Sequence, residues 1–90
     1  MTEEEIKKFL DNTKVYVQGK SKEIQEKLFS LGFQWKFDGK KVCHEEKPFL
    51  FLWEDMELSY GSDMERFTKK AFREITTNDI LNIIIDEPKY

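Results

Sequence analysis

Phe49-Leu50-Phe51-Leu52-Trp53 is apolar at every position. Successive side chains of a strand point to opposite faces, so such a run is stable only where both faces are covered. The segment is therefore expected to be a central strand with helices on at least one side, and the rest of the chain must supply its neighbours. With 90 residues, the chain has room for one core, since compact domains seldom split below roughly 100 residues. Residues 1–90 are read as a single domain. Its eight Phe, two Trp and three Tyr can fill that core, which argues against disorder.

Periodicity places the neighbours. Thr2 and Glu5 stand at capping-box spacing, and Ile6, Phe9 and Leu10 share one helical face. This predicts an amphipathic helix over 3–10, in an N-terminal unit 2–11 that looks detachable from a core at 13–86. Lys14 to Gln18 alternates as a strand, Gly19 ends it, and Ser21 is placed to cap a helix with Ile24, Leu28 and Leu31 inward. Gly32 suits a left-handed C′ position, with Phe33 touching Leu28 as in a Schellman ending. From there the period becomes two: Phe33, Trp35 and Phe37 point one way, and Asp38-Gly39 signals a type I′ turn into a second strand at 40–44.

After the central run, Glu54-Asp55 makes a reversal and Met56, Leu58 and Tyr60 alternate in a half-wet strand. Ser62 and Glu65 repeat the capping-box spacing before a helix with Met64, Phe67 and Ala71 inward. An extended piece from Phe72 to Ile75, a helical turn begun by Thr76 and Asp79, and a closing strand at Ile83-Ile84-Ile85 complete the chain. The expected fold is small α+β, a mainly antiparallel meander with two to four helices packed on it.

Charge and composition exclude several function classes. Fifteen Lys and Arg against 18 Asp and Glu leave a formal net charge of -3, which does not suit a strongly basic nucleic-acid binder. The balance is uneven, because residues 12–47 carry eight lysines against five acids while both ends are acidic. No run reaches the roughly 18 apolar residues of a membrane span, and the start Met1-Thr2-Glu3-Glu4-Glu5 is unlike a signal peptide, so no membrane association and a cytoplasmic setting are expected. A single cysteine, Cys43, excludes an internal disulfide and any multi-cysteine metal site.

Motifs that carry chemistry are few. Gly19-Lys20-Ser21 follows a strand and opens a helix, but Lys14 stands where a phosphate-binding loop needs its first glycine, so nucleotide hydrolysis is not expected there. Cys43 and His44 are neighbours on an expected strand and should face opposite ways, which disfavours a shared metal ion or a nucleophile pair. The carboxylates Glu54, Asp55, Asp63 and Glu65 fit turns and a helix start. The most suggestive segment is 33–44, where Trp35, Lys36, Phe37, Lys40, Lys41 and His44 put rings beside cations and form the candidate binding set. No catalytic residue, metal or cofactor is assigned.

Lys14-Val15-Tyr16-Val17, Leu31-Gly32-Phe33-x-Trp35, Pro48-Phe49-Leu50-Phe51-Leu52, Tyr60-Gly61, Phe67 and Arg73-Glu74-Ile75-Thr76 with Ile80-Leu81 form a series over residues 14–81. It resembles short uncharacterised proteins of bacteriophages, prophages and related bacterial mobile elements. The resemblance implies a bacterial cytoplasmic setting and a small accessory role, and supplies no catalytic motif or cofactor. The function expected is non-catalytic binding, through a protein partner or self-association. The alternative is recognition of single-stranded nucleic acid or a nucleotide by the 33–44 hairpin, which the net charge disfavours. This reading requires that the large rings be used for internal packing and leave no chemically equipped cleft.

Overall fold

The computed structural model describes residues 1–85. In chain order the elements are α1 (Glu3–Leu10), β1 (Thr13–Tyr16), α2 (Ser21–Ser30), β2 (Gln34–Trp35), β3 (Phe49–Leu52), β4 (Glu57–Gly61), α3 (Met64–Lys69), β5 (Arg73–Ile75) and α4 (Thr77–Leu81). The five strands form one sheet in the order β2-β4-β3-β1-β5, with the apolar run of β3 at its centre. The class is α+β, but the sheet is mixed rather than a meander. β3 is antiparallel to β1 and β4, whereas β5 runs parallel to β1 and β2 parallel to β4.

Parallel strands need crossovers, and two helices provide them. α2 carries the chain from β1 to the β2 edge, and α3 carries it from β4 to the β5 edge. The two crossovers travel in opposite directions along the sheet, so a common right hand puts their helices on opposite faces. That arrangement is found. On one face Val15, Leu50, Leu52 and Ile75 join Ile24 and Leu28 of α2 and Ile80 of α4 in the main core. On the other, Phe49 stacks on Phe67 of α3 with centroids 4.3 Å apart, and Phe51 contacts Phe67 and Phe72.

A buried cation pins α3. Lys14, on the α3 face of β1, is buried, and its ammonium donates to the carbonyls of Phe67, Thr68 and Lys70 while lying 4.8 Å from the Phe67 ring centroid. Carbonyls at a helix C-terminus lack intrahelical partners and carry the negative end of the dipole, so a cation there satisfies both. At the opposite end of the sheet order, α2 closes as expected. Gly32 adopts φ 105, its N–H donates to the Phe29 carbonyl, and the N–H of buried Phe33 donates to Leu28 at 2.9 Å.

The helix starts at Thr2 and Thr76 carry full capping boxes with Glu5 and Asp79. Other local expectations are corrected. Ser21 is the first helical residue and its hydroxyl accepts from Gln25, so the N-cap is Lys20 without a side-chain bond. Asp63, not Ser62, caps α3, and that helix is only six residues long, so Phe67 is buried while Met64 and Ala71 are exposed. Met56 has φ 66 in the turn before β4. The hairpin over 33–44 reduces to a two-residue β2 and one backbone bridge between Trp35 and Gly39, with no strand at 40–44.

Residues 83–85 form no strand; Ile83 packs in the core and the Ile84 carbonyl accepts from the Met1 amino group at 2.8 Å. The last residue of the expected 13–86 core, Asp86, lies outside the described residues. α1 buries Ile6 and Leu10 in the shared core, and the Arg73 guanidinium lies over the Phe9 ring and donates to the Phe9 carbonyl. Among the described residues no helix is long and apolar enough to cross a membrane.

Urea denaturation of two variants tests both faces. Leu28→Ala, a truncation at a fully buried site, is expected to cost about 2–5 kcal/mol. Lys14→Met, which orphans three carbonyls, is expected to cost about 1.5–3 kcal/mol. An unchanged midpoint for Leu28→Ala would show the main core misplaced, and for Lys14→Met that the ammonium does not hold α3.

Candidate functional site

β2 pairs only with Glu57 and Leu58 of β4. Trp35 and Gly39 then exchange backbone hydrogen bonds of 2.9 and 3.1 Å, with Gly39 at φ 63, and residues 36–38 turn away from the sheet. The outer edge of β4 beyond Leu58 therefore has no strand neighbour among the described residues. An open groove of about 420 Å³ lies between that edge and the turn. Rings of Trp35, Phe37, Trp53 and Tyr60 line it, together with the carboxylates of Asp38, Asp55 and Glu57.

Four members of the candidate binding set, Trp35, Lys36, Phe37 and His44, line this groove. Lys40 and Lys41 are exposed but are not part of its lining. The turn separates the two rings that strand alternation would place together. Trp35 is buried, its indole N–H donating to Gln25 Oε1 at 3.1 Å, whereas Phe37 is 90% exposed. Tyr60, 44% exposed, stacks on His44 with centroids 4.4 Å apart and meets the edge of Trp35 at 6.2 Å. Trp53 is half-buried and donates from Nε1 to Ser59 Oγ at 2.8 Å. The expectation that packing would consume the large rings and leave no equipped cleft is thus overturned.

The segment 40–44 is held to the body by Gln25 of α2. This fully buried amide donates to the Cys43 carbonyl at 2.6 Å and to Ser21 Oγ at 2.9 Å, and accepts from the Cys43 N–H and the Trp35 indole, both at 3.1 Å. All of its donors and acceptors are used. His44 follows at φ 55, in the left-handed region. The opposite-face argument for Cys43 and His44 holds only for extended backbone, and here both side chains reach Asp38. His44 Nε2 lies 3.6 Å and Cys43 Sγ 3.8 Å from Asp38 Oδ2. Burial first, then the Asp38 charge, pushes the Cys43 thiol above its ordinary value, so the thiol is not an activated nucleophile.

Glu57 is the perturbed acid of the groove. Desolvation, a hydrogen bond with Asp55 and the Asp55 charge raise its pKa, opposed by the nearby Lys36 ammonium. Ammonium groups already lie over its rings: Lys36 of the lining over Phe37 at 5.7 Å, and from outside the lining Lys47 over Tyr60 at 5.4 Å and Lys70 over Trp53 at 4.4 Å. Chemically, three carboxylates against the one lining ammonium of Lys36 leave an excess of negative charge beside the rings, which suits a positively charged group. Elsewhere the acids do structural work, Asp63 capping α3 and Glu65 pairing with Lys69 at 2.7 Å. Asp38, Asp55 and Glu57 were legible only as turn and strand residues, because nothing in their spacing shows that two separate turns meet.

No protein-family model, curated protein or solved structure matches the chain, so the site rests on its own geometry. Asp55→Asn is expected to lower the Glu57 pKa toward its ordinary 4.5, as followed by carboxyl NMR titration. An unmoved Glu57 would show that Asp55 does not perturb it.

Proposed function

We propose that the chain is a small binding domain that takes a protein partner through the groove beside β4, and that the recognised feature is a basic segment. The observation that carries this reading is the conjunction of exposed rings with Asp38, Asp55 and Glu57 against the single lining ammonium of Lys36. Aromatic faces attract Lys and Arg side chains electrostatically, and carboxylates at the same site add to the attraction. The uncovered edge of β4 suits an extended peptide, which adds main-chain hydrogen bonds to a sheet edge. A bound cation would relieve the raised carboxyl pKa of Glu57, which supports a basic ligand at this site. The accessory role in a bacterial cytoplasm implied by the resemblance to phage and mobile-element proteins fits a domain of this kind.

Nucleic-acid binding is the weaker alternative, since phosphates would meet the carboxylates of the groove while Lys40 and Lys41 lie outside its lining. Tryptophan fluorescence titration with a Lys/Arg-rich peptide, its acidic counterpart and a single-stranded oligonucleotide separates the readings. The basic peptide is expected to bind, at least about tenfold more weakly to Tyr60→Ala and Glu57→Gln. Its affinity is expected to be full at neutral pH and to fall as acid protonates Glu57, because the proton removes the attracting charge. A salt-sensitive complex with the oligonucleotide alone would establish the other reading, and equal binding of acidic and basic peptides would refute this one. Sedimentation of the chain by itself tells whether the partner is a second copy, whose 12–47 segment is net basic.

A further inference from the structure

At one end of the groove, sharing Asp38 and His44 with its lining, one cluster of dissimilar donors converges on a point. Asp38, Cys43 and His44 place a carboxylate oxygen, a thiol sulfur and an imidazole nitrogen all within 4.8 Å of one another. We propose that these three side chains form a mononuclear binding site for a divalent transition metal, zinc being the ion that the donor set fits.

The distances support it. Zinc bonds of about 2.0–2.3 Å in tetrahedral geometry put neighbouring ligand atoms roughly 3.3–3.6 Å apart. Asp38 Oδ2 is already 3.6 Å from His44 Nε2 and 3.8 Å from Cys43 Sγ. Those two edges need to close by no more than a few tenths of an ångström, and the third, no longer than 4.8 Å, is the one that zinc would have to draw in. Sulfur, nitrogen and oxygen donors together favour zinc over magnesium or calcium, which take oxygen ligands. Three protein ligands leave a fourth place for water.

The supporting structure is preorganised. Gln25 fixes the Cys43 backbone from both its N–H and its carbonyl. The His44 ring is held between the stacked Tyr60 ring and the edge of Trp35, 5.2 Å away. Gly39 at φ 63 closes the turn that presents Asp38. Such positioning by groups behind the ligands is what fixes a metal site's geometry. The surrounding charge is mixed, Asp38 and Glu46 acting on Cys43 against Lys41. A divalent ion reverses the penalty on the thiolate. Binding replaces the S–H bond by an S–Zn bond and releases the proton to solvent, with no change of oxidation state.

Zinc titration of the metal-free chain by calorimetry, with cobalt as the spectroscopic probe, tests the site. One equivalent of zinc is expected to bind, and the cobalt form to show a near-ultraviolet thiolate-to-cobalt charge-transfer band. Cys43→Ser, His44→Asn and Asp38→Asn are each expected to weaken zinc binding at least about tenfold, and Cys43→Ser to abolish the band. Urea midpoints in chelator show whether each variant still folds, and the cobalt band of the parent chain reads the thiolate ligand without any substitution. Absence of that band, no saturable zinc binding, or binding that none of the three substitutions weakens would each overturn the assignment.

Discussion

The buried side-chain amide of Gln25 ties together the parts of the molecule that make its site. One face of α2 supplies it, and its four hydrogen bonds reach back to Ser21, forward to the Trp35 indole and across to both backbone groups of Cys43. A buried amide left half-satisfied destabilises a fold, so these partners are held as a set. The consequence is that a loop rich in Lys and Glu, which packs Val42 and Cys43 on the core, sits in a defined place. That anchor sets Cys43 and its neighbour His44 against Tyr60, which β4 itself positions by pairing with β3.

Two crossovers of opposite direction shape everything else. They give β3 a covered face on each side, which its uninterrupted apolar run requires, and they leave the sheet with a short β2 at one edge. Lys14 then joins the α3 face of the sheet to the helix by ion–carbonyl contacts rather than by an ion pair. Because β2 ends at Trp35, β4 beyond Leu58 has no strand neighbour on that side among the described residues, and the groove opens between it and the turn at Asp38. Groove and donor cluster are thus products of a strand that stops early.

Much of this was legible along the chain where the signal is local. The 3.6 period marked α1 and α2, capping spacings marked Thr2 and Thr76, and Gly32 followed by Phe33 marked a Schellman ending. Apolar residues at every position of 49–52 identified the central strand. The type I′ turn expected at Asp38-Gly39 is replaced by a turn over 36–38, with positive φ only at Gly39, which bridges Trp35, and the strand expected after it failed. Residues 40–46 contain Lys40, Lys41, Glu45 and Glu46, which offer no alternating face to a sheet, and the Gln25 anchor holds that segment as a loop instead. Phe37 was assigned to the Trp35 face on strand alternation, and the turn reversed its direction.

The site was less legible for a physical reason. Hydrophobic pattern fixes which face of a strand is buried, but says nothing about which neighbour it pairs with or in which direction. The sequence alone determined α1, α2, the start of α4, the α+β class and the central place of β3, because propensity, caps and burial pattern act over a few residues. Only the tertiary structure decided the parallel pairings, the exposure of Phe37 and Tyr60, and the meeting of Asp38 with Cys43 and His44. Those depend on contacts between segments apart in the chain: strand pairings set by the two crossovers, and a buried amide, Gln25, whose partners no local pattern names.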